Sequence, residues 1–124
     1  MRIEGPTLRP SAVAAAIEAL IELLAAGEYE RACELGGPGW TPVLIQQSID
    51  GYRVGARVTA TGSTEGGDYQ LFGLFFRDHR RTGFDGDAVV NLFLDGKCSD
   101  LAATFAIRKE DGSWVVELSS IHTV

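Results

Sequence analysis

Basic charge is what this 124-residue chain has least of: eleven Lys and Arg stand against seventeen Asp and Glu, a formal net charge of −6. A nucleic-acid partner needs a basic stripe to neutralise phosphates, and an anionic membrane surface needs a polybasic patch, so neither suits this balance. Cysteine is nearly absent. Cys33 and Cys98 lie far apart, form no CxxC pair and make no disulfide framework. One bridge between them stays open on spacing alone, with buried free thiols as the expectation. The only histidines are His79 and His122, so a zinc site would need all four residues to converge, and neither a metal nor a cofactor is expected. Long hydrophobic runs are missing as well. The longest apolar stretch, residues 12–26, carries Glu18 and Glu22 and is too short to cross a bilayer. The opening residues, Met1-Arg2-Ile3-Glu4-Gly5-Pro6, have no apolar leader core, so a cytoplasmic protein is expected.

What is present is core material. At 45% hydrophobic residues the composition is that of a globular protein, and a chain of this length buries about two-thirds of its unfolded surface. A single domain over residues 1–124 follows. The first third has a helical period. Ser11 offers a side-chain cap, Val13, Ile17, Leu20, Ile21 and Leu24 recur on one face, Glu18 and Glu22 lie on the other, and Gly27 ends the run. A short second helix is predicted from Glu28 to Leu35, with Tyr29, Ala32 and Cys33 inward. Gly36-Gly37-Pro38-Gly39 is a break. Thr41-Pro42 then supplies a cap followed by proline at the first helical position, and Leu44, Ile45, Ser48 and Ile49 make the inner face of a third helix stopped by Gly51.

After Gly51 the period changes to two. Val54, Ala56, Val58 and Ala60 alternate with polar or small residues, which predicts a half-buried strand. Tyr69 to Phe76 is apolar on both parities, as for a central strand or one lining a cavity. Three further strands run through Ala88–Leu94, Leu101–Ile107 and Trp114–Leu118, punctuated by Asp95-Gly96 and Asp111-Gly112 turns. Three helices followed by about five meandering strands is an α+β layout, with helices packed on one face of a curved antiparallel sheet and a cavity between the layers.

Two short stretches carry a resemblance. Ala26 to Arg31, containing Gly27-Glu28-Tyr29-Glu30, is similar to the entry of the second helix in nuclear transport factor 2-like domains. Ser99-Asp100-Leu101 through Asp111-Gly112-Ser113-Trp114-Val115-Val116-Glu117-Leu118 resembles the last hairpin of that superfamily. The ending, Ile121-His122-Thr123-Val124, is similar to that of a bacterial subfamily of unknown function, in which a Ser-Asp-Leu strand precedes a Leu-His-Val-Leu-like terminus. The middle, Tyr52 to Asp87, resembles nothing recognisable. The resemblance implies an α+β cone, and it implies several incompatible functions: isomerase, dehydratase, ligand carrier, protein-binding domain and immunity protein against a bacterial toxin. Fold alone does not choose among them.

The residues narrow the choice. Isomerases of this superfamily place a tyrosine inside the first helix, whereas here that face is wholly aliphatic. A dehydratase needs a His-Asp pair, for which His79 with Asp85 or Asp87 is the nearest arrangement, set in a loop that reads as a solvated connection. No catalytic residue is assigned. The three glycines between Gly62 and Gly67 lack the Lys-Ser/Thr of a phosphate loop. The leading expectation is a protein-binding module, most concretely an immunity protein that neutralises a basic, possibly nuclease, toxin. Its contact residues would be the acids of loop tips and strand ends, Glu65, Asp68, Asp78, Asp85, Asp87, Asp95 and Asp100, with His79 and with Phe84 as an aromatic anchor. The alternative is a cone pocket for a small apolar molecule, lined by Leu71, Phe75, Phe93, Phe105, Trp114 and His122. The alanines of the first helix would leave room for it, or mark close packing or a homodimer contact.

Overall fold

The computed structural model describes residues 1–5, 9–63 and 86–123, together with the backbone of residues 73–76. Three helices lead: α1 (Pro10–Ala25), α2 (Tyr29–Gly36) and α3 (Pro42–Tyr52). The strands among the described residues are β1 (Arg2–Glu4), β2 (Val58–Thr59), β3 (Gly73–Phe76), β4 (Gly86–Leu94), β5 (Lys97–Glu110) and β6 (Ser113–Thr123). All named strand pairs are antiparallel, in the order β1-β6-β5-β4-β2, with β3 also on β4. The sheet is curved and the three helices pack on it, which is the expected α+β arrangement.

Capping chemistry explains the helix limits. Thr41 Oγ1 accepts the Leu44 N–H at 3.2 Å and Pro42 occupies the first helical position, as its sequence requires. Ser11 does not cap α1. The helix starts earlier because Pro10 takes the position where its missing N–H costs nothing, and Arg9 O receives the Ala12 and Val13 amides. Gly27 ends α1 in the left-handed region at φ +76°. Gly36 is the last residue of α2 rather than the first of the break. A Cβ there would lie 2.7 Å from Leu20 Cδ1, so glycine is what lets α2 approach α1 this closely.

The hairpins follow their turn residues. Asp95 and Gly96 have φ of 52° and 80°, and Asp111 and Gly112 have 48° and 76°, the left-handed pair that a two-residue hairpin loop needs. The strand expected over Val54 to Ala60 is corrected to its last part. The Ala56 N–H bonds back to Arg53 O at 3.2 Å and Gly55 sits at φ +81°, so a turn occupies the first half and Val54 is 85% exposed. The expected central strand over 69–76 is described only at Gly73–Phe76, which pairs with β4 alone among the described residues. Strand β1 was not anticipated. Arg2-Ile3-Glu4 has a single apolar residue, and its pairing with Ser113–Val115 is visible only in three dimensions.

The core lies between the helices and the inner sheet face. Val13, Ile17 and Leu20 of α1 and Ile45 and Ile49 of α3 meet Leu92, Leu94, Leu101, Phe105, Ile107 and Val116 of the sheet. Cys98 is buried, Cys33 is half-buried and both are free thiols. Burial pushes both thiols above the ordinary cysteine range, which leaves them poorly nucleophilic. No helix among the described residues is long and apolar enough to cross a membrane.

Candidate functional site

The candidate site lies between α1 and β4. Among the described residues β2 pairs with Phe93 and Leu94 of β4, and β3 pairs with Gly86 to Val89. Along residues 90–93 a cleft of about 510 Å³ opens between α1 and β4. Its helix wall is Ala14, Ile17, Glu18, Ile21 and Glu22; its sheet wall is Val90, Asn91, Leu92 and Phe93, with Ala60 and Thr61 at the rim. The alanine-rich sequence of α1 contributes directly, because Ala14 presents only a methyl group where a larger residue would fill the space.

The floor of the cleft is a bulge stabilised by two buried polar residues. The β4–β5 ladder jumps from Asn91↔Ala102 to Phe93↔Cys98, so Leu92 faces three residues of β5 and several backbone groups lose their ladder partners. Ser99 supplies replacements. Its Oγ donates to Leu92 O at 2.8 Å and accepts the Leu101 N–H at 3.2 Å. The Ser99 carbonyl in turn accepts from Asn91 Nδ2 at 3.0 Å. Outside, the Tyr52 hydroxyl accepts the Asp100 N–H at 3.4 Å. The Ser99-Asp100-Leu101 segment is thus an irregularity held by side chains, and its effect is to fix Asn91 at the cleft wall.

Asn91 is 8% exposed. Its amide nitrogen donates to Ser99 O, which fixes the carboxamide in a stretch of sheet wall whose other described residues, Val90, Leu92 and Phe93, are apolar. The rim is fixed from the opposite side. A Cβ on Gly62 would stand 2.6 Å from the Gly96 backbone and 2.7 Å from Phe93 Cδ1, so glycine lets the chain after β2 lie flat against the β4–β5 turn and seat the Phe93 ring. A second cleft, of about 590 Å³, lies at the other end of α1 among Ala26, Tyr29, Gln46, Gly55 and Arg57. Burial there holds the Tyr29 hydroxyl pKa above its usual value, despite the opposing pull of Arg57.

The expected pocket residues separate in space. Phe93 lines the α1–β4 cleft. Phe105 does not border it: the residue is 1% exposed and packed in the core cluster between the helices and the sheet. Trp114 is half-buried on β6 beside β1, opposite Ile3, with Lys109 Nζ 5.9 Å from its ring centroid. His122 is exposed and borders neither cleft, and its Nδ1 lies 3.0 Å from Ser120 Oγ. Phe75 lies on β3, where its backbone is opposite Asp87 and its side chain falls outside the described residues, as does all of Leu71.

The expected acidic contacts separate too. Glu65, Asp68, Asp78, His79, Phe84 and Asp85 lie outside the described residues. Asp87 is half-buried within β4 and Asp100 is exposed. Asp95 is a structural anchor. Its Oδ2 meets Arg53 Nη2 at 2.8 Å and its Oδ1 accepts the Arg57 N–H at 3.2 Å, fastening the hairpin to the turn after α3. Glu110 and Glu117 are likewise engaged. Arg108 Nη2 lies 2.6 Å from Glu117 Oε1, and Arg2 bonds both Glu110 and Ser113. Hydrogen bonding to Glu117 is the main cause of an Arg108 pKa raised above the usual guanidinium value. The carboxylates without an ion pair among the described residues include Glu18, Glu22, Glu28, Glu30 and Glu34, all exposed on or beside α1 and α2.

Sequence reading passed over Asn91 and set Glu18 and Glu22 on the far face of α1. A carboxamide inside the run Ala88-Val89-Val90-Asn91-Leu92-Phe93-Leu94 was the available signal, since asparagine is depleted in strands. Compared with known proteins, the chain matches no family model, no curated protein and no solved structure.

Proposed function

We propose that this chain is a non-catalytic binding module that takes a small organic ligand between α1 and β4. The observation that carries the reading is the cleft of about 510 Å³, whose described walls are largely apolar and include Asn91, 8% exposed and held by its hydrogen bond to Ser99. Ligand pockets of several hundred Å³ are typically apolar with a few fixed polar groups that set orientation. A cavity between helices and sheet is also where the likeness to nuclear transport factor 2-like domains would put a ligand. The test uses 1-naphthylmethanol, an uncharged aromatic probe with one hydroxyl donor. Titration into isotopically labelled protein should shift the Asn91 side-chain amide and the Ile17 and Phe93 resonances together, leaving Ser120 and His122 unmoved. No perturbation at millimolar probe would end the reading.

A second reading rests on a separate observation, the exposed and ion-unpaired acids of the second helix and its entry, Glu28, Glu30 and Glu34. These favour a basic protein partner, with a toxin neutralised by an immunity protein as the most concrete case. Opposed charge raises association rates and is screened by salt. Co-purification with the products of flanking genes should then give a stoichiometric basic partner that high salt releases. Glu30→Lys with Glu34→Lys should slow association with it by about tenfold at low salt. An unchanged rate would exclude this face.

A further inference from the structure

We infer that the second cleft, at the C-terminal end of α1, takes a small organic carboxylate: one carboxyl group on a compact apolar body, held by the Arg57 guanidinium and the Tyr29 hydroxyl. The two clefts share no described lining residue, so this site stands apart from the α1–β4 reading. Four segments meet around its volume of about 590 Å³: the end of α1, the first residue of α2, Gln46 of α3 and the turn leading into β2. Among the described residues lining either cleft, Arg57 is the only Lys or Arg. Its backbone is clamped, because the N–H donates to Asp95 Oδ1 at 3.2 Å and the carbonyl accepts the Asp95 N–H at 2.8 Å. Its side chain is not. Asp95 turns its other oxygen to Arg53 Nη2 at 2.8 Å, so the acid bonded to the Arg57 backbone is already neutralised. Among the described residues no ion pair or hydrogen bond engages the Arg57 guanidinium.

Tyr29 supplies a donor beside this charge. It is half-buried on the cleft wall, and its hydroxyl makes no hydrogen bond to another described residue. Arg57 lies near enough to favour ionisation of that hydroxyl, and its pull outweighs the opposing push of Asp50. Of these two charges the positive one therefore dominates at the hydroxyl, which suits an anion. Asp50 does not border the cleft, and Gln46 Nε2 donates to its Oδ1 at 3.0 Å, which fixes Gln46 on the wall. Glu28 and Glu30, beside Tyr29 in the chain, do not border the cleft either. The carbonyl end of α1 would repel an anion, but the Glu22, Leu23 and Leu24 carbonyls are taken by the amides of Ala26, Glu28 and Gly27. A guanidinium matches a carboxylate through two parallel N–H donors. One guanidinium balances a monoanion and would leave half the charge of a phosphate dianion unmatched. Leu24, Ala56 and Val58 line the same cleft and offer apolar surface to the rest of the molecule.

Three planar probes of matched shape test the site: benzoate, benzamide and benzamidinium, each titrated at low salt into isotopically labelled protein. The Tyr29 ring, the Gln46 side-chain amide and the Arg57 Nε–H report this cleft, while Asn91, Ile17 and Phe93 report the other. Benzoate should move the first set and leave the second still. It should bind about fivefold more tightly than benzamide, with benzamidinium the weakest of the three. Arg57→Gln should bring benzoate down to the affinity of benzamide and leave benzamide unchanged. Tyr29→Phe, which keeps the ring, should weaken benzoate by about threefold. Arg57 is exposed, so its variant should keep the wild-type unfolding midpoint and any loss of binding is local. Equal affinities for benzoate and benzamide, a benzoate preference that survives Arg57→Gln, or shifts confined to Asn91, Ile17 and Phe93 would overturn the inference. So would the absence of any shift at Tyr29, Gln46 and Arg57 with millimolar benzoate. The α1–β4 reading is decided separately, by its own probe.

Discussion

Phe105→Ala should lower the unfolding free energy by about 3–5 kcal/mol, the usual cost of removing a buried aromatic ring and leaving a cavity. Phe105 is 1% exposed and lies between Ala88 of β4 and Leu118 of β6, within the cluster that joins the helices to the sheet. Urea denaturation would read the loss as a lower midpoint with an unchanged slope. The informative part is what should not change. Phe105 does not border the α1–β4 cleft, so the folded variant should bind 1-naphthylmethanol with unaltered affinity. Loss of affinity with little loss of stability would mean that Phe105 lines a ligand cavity after all, as its place in an aromatic strand pattern led one to expect. Since domains of this size are stable by only about 5–15 kcal/mol, Phe105→Leu is the companion variant that keeps the protein folded if alanine does not.

Ser99→Ala should cost about 2–4 kcal/mol, a large effect for the loss of one oxygen. The hydroxyl serves Leu92 O and the Leu101 N–H at once, in a bulge where the β4–β5 register skips both residues, and Ser99 is buried. Deleting it removes a hydrogen-bond partner from two backbone groups at once, and each loss carries its own penalty. The effect should extend to the cleft, in contrast to Phe105. Asn91 is held through the Ser99 carbonyl, so any relaxation of the bulge turns the carboxamide and weakens binding of the same probe. Ser99→Thr, which keeps the hydroxyl, should recover most of the stability. Equal stability of the wild type and Ser99→Ala would show that the bulge is held by something other than this side chain.

The two residues illustrate what a strand pattern can and cannot convey. Phe105 and Phe93 are both aromatics in predicted strands, and period-two alternation gives no reason to separate them. Their fates differ in three dimensions: Phe105 is 1% exposed within the cluster that joins the helices to the sheet, whereas Phe93 is half-buried on the wall of the α1–β4 cleft. Asp95 and Asp100 were alike as strand-end acids. One became the anchor of a turn because Arg53 and the Arg57 amide lie within reach, and the other stayed exposed. Glu18 and Glu22 were correctly read as outward-facing, but a helical wheel cannot show that an outward edge runs along a cavity.

Local chemistry by itself determined the three helices, the Thr41-Pro42 start, the Gly27 stop, the Asp95-Gly96 and Asp111-Gly112 hairpins and the α+β class. Each depends on interactions spanning only a few residues: caps, backbone conformations open to glycine and aspartate, and the period of apolar side chains. Tertiary structure alone decided the pairing of β1 with β6, the shortening of β2, the bulge at Ser99 and the cleft. These depend on which strands meet and in what register, and register couples residues far apart in the chain through backbone groups that every residue carries alike.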